Sequence, residues 1–430
     1  MKFIADLHIH SKYSRATSKN MVLEEIDRWA DDKGILVMGT GDFTHPGWFK
    51  EIKEKLSPAE PGLFKLKPQY KKKTLKGNLS ETRFILTTEI SGIYSRFSSK
   101  LGVKKTHRVH NLLFAPDIKT VESINTQLSW IGNLASDGRP ILGLDSEELA
   151  KIVFNTNPEA VVIPAHAWTP WFSVFGSMSG FDSLEECFGK QAKHIFAIET
   201  GLSSDPAMNW RLSKLDNISL ISNSDCHSLQ KIGREVNIFD TELSYQGIIE
   251  AIKSRNPKQF LETIEFFPEE GKYHYDGHRN CDIVFSPEET KKHNNICPKC
   301  GKKLTIGVMN RVDELADRDV DYKDDKRVSY RSLIPLDEII AEAFNMGTNT
   351  KKVAEEYKNL IKSLGNELKI LLETSEGEIK SVADIRVAEG IKRVRNGQVK
   401  IHPGYDGEYG KIEIFREDER EELESQKALF

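Results

Sequence analysis

Residues 1–14 read M-K-F-I-A-D-L-H-I-H-S-K-Y-S, and the alternation inside this stretch decides how the chain is read. In a β-strand successive side chains point to opposite faces. Asp6, His8 and His10 would then share one face, and Leu7 and Ile9 the other. An exposed edge strand with a polar face satisfies that pattern. So does a divalent metal, for which two imidazoles and a carboxylate converging on one point are ordinary donors.

The later apolar runs separate the two readings. Candidate strands are I-L-V-M-G-T-G-D-F, R-F-I-L-T-T-E-I, V-H-N-L-L-F-A, A-V-V-I-P-A-H, I-F-A-I-E-T and L-I-S-N-S-D. Helix-like stretches separate many of them: Val22 to Asp32, Val121 to Leu134, Ser146 to Phe154, Pro206 to Leu215 and Ser244 to Ser254. Asp145 or Ser146 is placed to cap one and Asp205 another. Continuous apolar strands alternating with helices predict a parallel sheet covered on both faces. About seven strands predict an α/β barrel.

Polar residues collect at the ends of these strands. They are His8 and His10, then Asp42 and His45, then Glu89, His110, His166, Glu199, and finally Asp225 and His227. In a parallel barrel all such ends share one rim, where barrel enzymes build their active sites. One histidine in a strand is usually structural, but a structural role repeated at every strand end is not expected. Imidazoles and carboxylates together suit Zn2+, Mn2+ or iron, with Mg2+ or Mn2+ also expected in a catalytic cluster. The count exceeds one ion, and Glu89 is the expected bridge between two or three. Such clusters polarise a phosphoryl oxygen and turn water into hydroxide near neutral pH. The expected chemistry is phosphoester hydrolysis, with His8, His10, Glu89, Asp225 and His227 as its catalytic set. Cys226 is expected to point away from the rim, and Asp6 to orient a histidine from behind.

The chain has 430 residues and a net charge of only −4, so the whole molecule does not announce a nucleic-acid binder. The charge is uneven. Lys65 to Lys76 and Ile391 to Lys400 are strongly basic, while R-E-D-E-R-E-E-L-E near the C-terminus is acidic. Lys71, Lys72, Lys73, Arg279, Arg393 and Arg395 are candidates for phosphate contacts, against the commoner role of charge runs as solvated faces. No segment is long and apolar enough to cross a bilayer, no signal peptide is expected, and five cysteines are too few for a disulfide framework. The expected compartment is reducing and cytoplasmic.

Three regions follow: 1–268 as the barrel, 269–310 as a small loop-rich module, and 311–430 as a C-terminal mainly helical, DNA-binding region with an acidic tail. In the module, His278-x2-Cys281 and Cys297-x2-Cys300 have zinc-ribbon spacing for a closed structural Zn2+ site. His274 and His293 are nearby rivals for the histidine position. Residues 310–331 read as a linker or exposed segment. Leu336 to Leu372 has helical spacing, with Val353, Tyr357, Leu360, Ile361 and Leu364 on one stripe. G-E-Y-G-K-I-E-I-F reads as a short strand.

D-L-H-I-H-S, the Glu89 strand, His110, His166 and the terminal D-C-H resemble the PHP superfamily over about Met1 to Phe267. That resemblance implies a distorted (β/α)7 barrel around a trinuclear metal centre. Many members carry a further histidine where this chain has Ser14 and Arg15, and T-D-H where it has G-D-F-T-H, so Asp42, His45 or both remain open as ligands. F-T-H-P-G-W-F, P-A-H-A-W-T-P-W-F-S-V-F-G-S, D-G-H-R-N-C and P-G-Y-D-G-E-Y-G extend the resemblance over nearly the whole chain, to the endonuclease Q family. It implies a DNA repair endonuclease that cuts 5′ to a deaminated base (uracil, hypoxanthine or xanthine) or an abasic site. An enzyme that inspects one base must flip it into a pocket. Trp168, Trp171, Phe172 and Phe175, in a loop after His166, are placed either to stack on DNA or to cap the barrel. Trp48 and Phe49 pose the same choice. The competing readings are a phosphatase or exonuclease of the same superfamily, and a non-catalytic DNA-binding scaffold. A sliding clamp is a further partner open to a repair enzyme, with no motif assigned to it.

Overall fold

The computed structural model describes residues 1–98, 102–324, 326–416 and 419–420. The acidic run at residues 417–418 and 421–430 lies outside the described residues.

Strand β1 (Lys2–Asp6) pairs in parallel with β2 (Val37–Gly39), and β2 with β3 (Arg83–Ser98). Helix α1 (Leu23–Lys33) makes the crossover between β1 and β2 and buries Leu23, Ile26 and Ala30 at helical spacing. The all-parallel expectation fails at β4 (Val103–Ala115), which folds back antiparallel on β3 from Ser98↔Val103 to Leu86↔Ala115. The reason is chain length. Only residues 99–102 join the two strands, far fewer than a parallel crossover needs. Strand β5 (Val161–Pro164) pairs antiparallel with β4, so it again runs with β3. Strands β6 (Ala197–Glu199) and β7 (Ser219–Ile221) form a parallel pair. Beyond β7 the chain returns to its start: Cys226 bridges Ile9 in parallel, and Leu7 N donates to Asn223 Oδ1 at 2.9 Å. These contacts bring the end of the seventh strand beside the end of the first.

On the other side of β1 the sheet continues antiparallel through β8 (Val236–Asp240) and β9 (Phe260–Glu265). Asn237 of β8 ties the seam, donating to Ser222 O at 2.7 Å and Asn223 Oδ1 at 2.9 Å. Helices α2 (Pro46–Lys55), α3 (Ile118–Ser129), α4 (Ser146–Thr156) and α5 (Tyr245–Ser254) follow on. Asp145 caps α4 by accepting Glu147 N, and Asp205 caps the short helix Pro206–Trp210 by accepting Met208 N, as expected.

The loop-rich module contains the hairpin β10 (Asp276–His278) and β11 (Ile283–Phe285). The following stretch is not a linker. It forms α6 (Val308–Leu315), across the expected 310/311 boundary, and β12 (Ser329–Ser332), which extends the sheet parallel to β9. Three of its arginines are held by the fold: Arg311 is buried and donates to Phe175 O and Phe181 O at 3.1 Å each, and Arg318 and Arg327 both bind Asp216, while Asp319, Asp321 and Lys323 stay exposed.

The C-terminal helices are α7 (Leu336–Ala343), α8 (Lys351–Leu364), α9 (Glu367–Leu372), α10 (Glu376–Val382) and α11 (Ile385–Arg395). The single periodic stripe is thus three helices, interrupted at residues 344–350 and at Gly365–Asn366. Val353, Tyr357, Leu360 and Ile361 still face the core. The expected last strand, Lys411–Glu413, pairs with Lys400–His402.

Candidate metal centre and nucleic-acid surface

The ends of the strands deliver their polar side chains to one basin. His8 and His10 leave β1 on the same face, while Leu7 and Ile9 are buried in the core. Glu89 lies within β3 and His110 within β4, on diagonal positions of the hairpin that broke the parallel order: Glu89 is paired with Leu112, and His110 with Ser91. Asp42, His166 and Asp225 follow β2, β5 and β7, and each has a positive φ, of 48°, 29° and 45°. Positive φ is disfavoured for residues with a Cβ, and such strain collects at functional sites. Gly41 turns the chain into Asp42 with φ +59°; a Cβ there would lie 2.2 Å from Ile9 O.

Glu89 sits at the centre. Its Oε2 is 3.2 Å from His10 Nε2 and 3.6 Å from His8 Nε2. Its Oε1 is 2.7 Å from His110 Nδ1 and 3.0 Å from His166 Nε2. Asp225 Oδ1 lies 3.0 Å from His10 Nε2 and 3.7 Å from His8 Nε2. Two donor groups result, His8–His10–Glu89–Asp225 and Glu89–His110–His166, with donor atoms in each within 4.8 Å of one another. They share Glu89, the carboxylate expected to bridge.

The far edges of the imidazoles are fixed by other groups. His8 Nδ1 lies 3.0 Å from Glu199 Oε1, and His10 Nδ1 lies 3.0 Å from Asp42 Oδ1 and 3.1 Å from Ser14 Oγ. Glu199 also accepts His166 N at 2.8 Å and Asn223 Nδ2 at 2.8 Å. Asp42 Oδ2 accepts Ser11 N and Ser11 Oγ at 2.7 Å each, and Ser14 Oγ at 2.9 Å. Glu199 and Asp42 therefore face the Nδ1 edges and leave both Nε2 atoms toward Glu89. This is how carboxylates orient metal-binding histidines. Ser14 occupies the place where a further histidine would be expected.

Asp42, Glu199, His45 and His227 do not join either donor group. His45 caps α2, accepting Trp48 N, and stacks on Tyr13 with ring centroids 4.2 Å apart. The His227 ring lies 4.5 Å from that of His10, but its Nδ1 is engaged with Asp225 O at 2.9 Å. Asp6 does not orient a histidine. It is buried and accepts Ser224 N and Gly233 N at 3.1 Å each, and burial lifts its carboxyl to about 6.

The electrostatics follow from burial in a charged cage. Burial alone would raise the Glu89 carboxyl, but His110, Arg139 and His8 hold it well below the usual carboxylate range. Burial likewise opposes the Asp225 carboxylate, and the charges of His8 and His10 outweigh it and lower its pKa. Burial pushes His110 down to about 4 despite Glu89. His8 is pushed down by burial and more strongly up by Glu199, Asp225 and Glu89, ending well above an ordinary histidine. His8 Nε2, His10 Nε2 and Asp225 Oδ1 are buried and lack a hydrogen bond of normal geometry. Buried polar atoms without partners are costly, and a divalent cation among them removes that cost. The donor set thus fits the metal that the sequence implies.

A second cluster lies in the small module. His278, Cys281, Cys297 and Cys300 also bring their donor atoms within 4.8 Å of one another, and Cys300 Sγ is 3.6 Å from His278 Nδ1. The rival histidines are elsewhere: His274 is buried against Tyr275, and His293 stacks on Phe285 at 4.7 Å. Three sulfurs and one nitrogen with no open position suit a closed Zn2+ site.

The expected nucleic-acid contacts fare unevenly. Trp168 is 1% exposed, with its indole donating to Asn209 Oδ1 at 2.7 Å, and Phe175, Trp48 and Phe49 are buried too. These four rings pack the fold and cannot stack on DNA. Trp171 stays 38% exposed, edge-on to Tyr273, and Phe172 lies 4.8 Å from the His110 ring. Lys71 donates to Ser80 O, and Lys72 pairs with Glu25 of α1 at 2.6 Å. Arg393 binds Glu419 at 2.7 Å and Ile414 O at 3.0 Å, and Arg395 donates to Leu371 O at 2.9 Å. These basic side chains make intramolecular contacts that composition could not show, with Lys72 still half exposed. Lys73 is exposed, and Arg279 is exposed with only a 3.8 Å approach to Glu408. Sequence reasoning missed Arg139, whose Nη1 donates to Glu89 Oε2 at 3.0 Å. Its only signal was an arginine between Gly138 and Pro140.

Fold and site together define an α/β protein with one shared-carboxylate donor basin and one closed His/Cys cluster, each with a donor set that can hold a metal ion. Residues 335–398 match the family described as the MJ0043 C-terminal domain. Protein MJ0043 of Methanocaldococcus jannaschii is 35% identical over 339 residues, covering 75% of this chain and 41% of that protein. The chain thus spans less than half the length of that relative. YqxK of Bacillus subtilis is 28% identical, covering 96% of this chain and 99% of its own. The crystal structure of the lesion-specific endonuclease PfuEndoQ from Pyrococcus furiosus is 32% identical with a TM-score of 0.83, covering 99% of both chains. A structure of endonuclease Q with a 27-mer duplex bearing an abasic lesion at the active site is 33% identical, with a TM-score of 0.81 and coverage of 97% and 98%. The chain belongs to the endonuclease Q family.

Proposed function

We propose that this protein is a DNA repair endonuclease that hydrolyses the phosphodiester 5′ to a deaminated base (uracil, hypoxanthine or xanthine) or an abasic site. The observation that carries this reading is the match, over nearly all of both chains, to an endonuclease Q structure holding an abasic duplex at its active site. The order of β1 to β7, with its one reversed strand, supports a distorted barrel of the PHP type.

We assign His8, His10, Glu89 and Asp225 to one ion, and Glu89, His110 and His166 to a second. Bound ions supply Lewis acidity and a hydroxide near neutral pH. The chain's own part is to hold this geometry. Glu199 and Asp42 fix the imidazole tautomers through Nδ1, and the three positive-φ residues aim Asp42, His166 and Asp225 inward. His227, at the rim beside His10, is assigned to proton transfer or to a third ion. Zn2+ is the assignment for the closed cluster, and Zn2+ with Mg2+ or Mn2+ for the basin. Trp171, exposed beside Tyr273, and Phe172, half-buried beside His110, are assigned to the lesion. Among the described residues no helix is long and apolar enough to cross a membrane. Cytoplasmic action, where thiolates stay reduced for Zn2+, completes the reading.

The test is a duplex with one deoxyuridine, one deoxyinosine, one abasic site or no lesion, incubated with the protein with and without Mg2+ or Mn2+. A nick on the 5′ side of the lesion is expected. Release of phosphate or nucleotides from ends would favour a phosphatase or exonuclease instead, and binding without cleavage a scaffold.

A further inference from the structure

Arg139 stands where metal binding alone does not call for a cation. Among the described residues it is the only lysine or arginine paired with a carboxylate of either donor group. A permanent positive charge beside a carboxylate shared by two dications weakens their binding by simple repulsion. If its task were only to steady Glu89, a neutral donor would do so without that repulsion.

The local chain is built to bring this residue in. Asp137 Oδ1 accepts Arg139 N at 3.0 Å and Arg15 N at 3.2 Å, and Gly138 N donates to Tyr13 O at 3.0 Å. A Cβ on residue 138 would lie 2.3 Å from Asp42 Oδ2, so only glycine lets the loop pass this close. Pro140 O accepts Ser91 N at 3.1 Å and pins the other end to β3. The Arg139 side chain is 27% exposed, so it reaches the basin from its open side. One Nη1 hydrogen bond to Glu89 leaves most of its five N–H donors for another partner.

A planar fork of charged donors at the mouth of such a basin matches two oxygens of a phosphate. We infer that Arg139 binds a non-bridging oxygen of the scissile phosphate and stabilises the charge that grows there in the transition state. This deepens the hydrolase reading above and rests on it. In that reaction a water oxygen forms the new P–O bond, the bridging P–O bond to the sugar breaks, and the departing oxygen takes up a proton. Arg139 transfers no proton and stays charged throughout.

The test uses the metal-loaded, full-length protein, with Arg139→Ala and Arg139→Lys. Inorganic phosphate is the first probe: its affinity should fall at least ~10-fold in Arg139→Ala and less in Arg139→Lys. Single-turnover nicking of a deoxyuridine duplex should fall ~10²–10³-fold in Arg139→Ala, the scale of losing one transition-state donor. Added guanidinium should restore part of that rate in Arg139→Ala but not in His8→Ala. Metal content, measured by mass spectrometry, should stay equal or rise because a repelling charge has gone. Lost metal without guanidinium rescue would overturn the inference and leave Arg139 as a prop for Glu89. Equal nicking by wild type and Arg139→Ala would overturn it too. If wild type nicks no lesion duplex while phosphate affinity still depends on Arg139, the lesion reading fails and the phosphate site stands.

Discussion

Lys33 on α1 and Glu367 on α9 form a buried ion pair between the first crossover helix and the C-terminal helices, and its removal can be worked through in numbers. Nζ and Oε2 are 2.6 Å apart, with side chains only 3% and 4% exposed. Burial would discharge Lys33, but Glu367 and Asp337 raise its pKa and keep the ammonium charged. At an effective dielectric of 20 the gross attraction is about 6 kcal/mol, most of it offset by desolvation. The pair therefore adds little net stability, yet breaking one side strands a buried charge at about 3–5 kcal/mol. Lys33→Met leaves Glu367 with the Tyr357 hydroxyl at 2.7 Å and Leu336 N at 3.2 Å, so its cost should lie near the low end. Glu367→Gln leaves Lys33 without a hydrogen-bonded carboxylate, with Asp337 acting only at a distance and the Tyr357 ring at 5.7 Å, and should cost more. The double variant Lys33→Met/Glu367→Gln keeps an amide oxygen for Leu336 N and presents an N–H that the rotatable Tyr357 hydroxyl can accept, so it should return to within about 1–2 kcal/mol of wild type. Urea unfolding of all four proteins gives the coupling, expected to exceed about 2 kcal/mol. If the single losses simply add, the ion pair is not what joins these helices.

Four further outcomes follow from the same structure. Glu89→Gln should lower the metal content of both donor groups together, whereas Asp225→Ala should spare the His110–His166 group; equal loss in both variants, read by metal analysis, would break the shared-carboxylate assignment. Cys297→Ser should lose the zinc of the small module and weaken DNA binding while the basin keeps its metal, and an unchanged zinc stoichiometry would show the ligands are misassigned. Trp171→Ala should weaken binding to a lesion duplex by ~1–3 kcal/mol if a base stacks on it, while Trp168→Ala should cost ~3–5 kcal/mol of stability as a core truncation; the opposite pattern would reverse their roles. Burial raises Glu265 to about 8, with Asp205 adding to the effect and Thr263 and Thr200 opposing it. A raised folded-state pKa gives stability that is full at low pH and lost as pH climbs through about 8. Glu265→Gln should therefore flatten the melting-temperature profile between its ordinary carboxyl value of 4.5 and about 8, and an unaltered slope there would refute the assignment.

The candidate donor residues were legible in the sequence because strands repeat every two residues and most of these donors follow strand ends. Strand-end logic brought His8, His10, His166 and Asp225 together, knuckle spacing paired the cysteines, and capping chemistry offered Asp145 or Ser146 and Asp205; Glu89 joins the same basin from within β3, which runs on to Ser98. It could not show that β4 reverses, since an apolar run reads the same in either direction; the short 99–102 connection was the only hint. Nor could it rank the ligands. Asp42 and Glu199 have the right chemistry and the right position in the chain, but only packing shows that they meet Nδ1 rather than share a basin with Nε2.

The surface was legible least of all. Lys71, Lys72, Arg393 and Arg395 look like phosphate contacts in a linear string because their partners Ser80, Glu25, Glu419 and Leu371 stand elsewhere in it. Trp168 and Trp171 are three residues apart in one loop, yet one is core and the other exposed. The sequence by itself determined which chemistry the chain can carry, since residue type and strand period are local properties. Tertiary structure alone decided which of those groups face one another, which charges are already paired, and that Arg139 enters the site, because each of these depends on chain segments brought together only by folding.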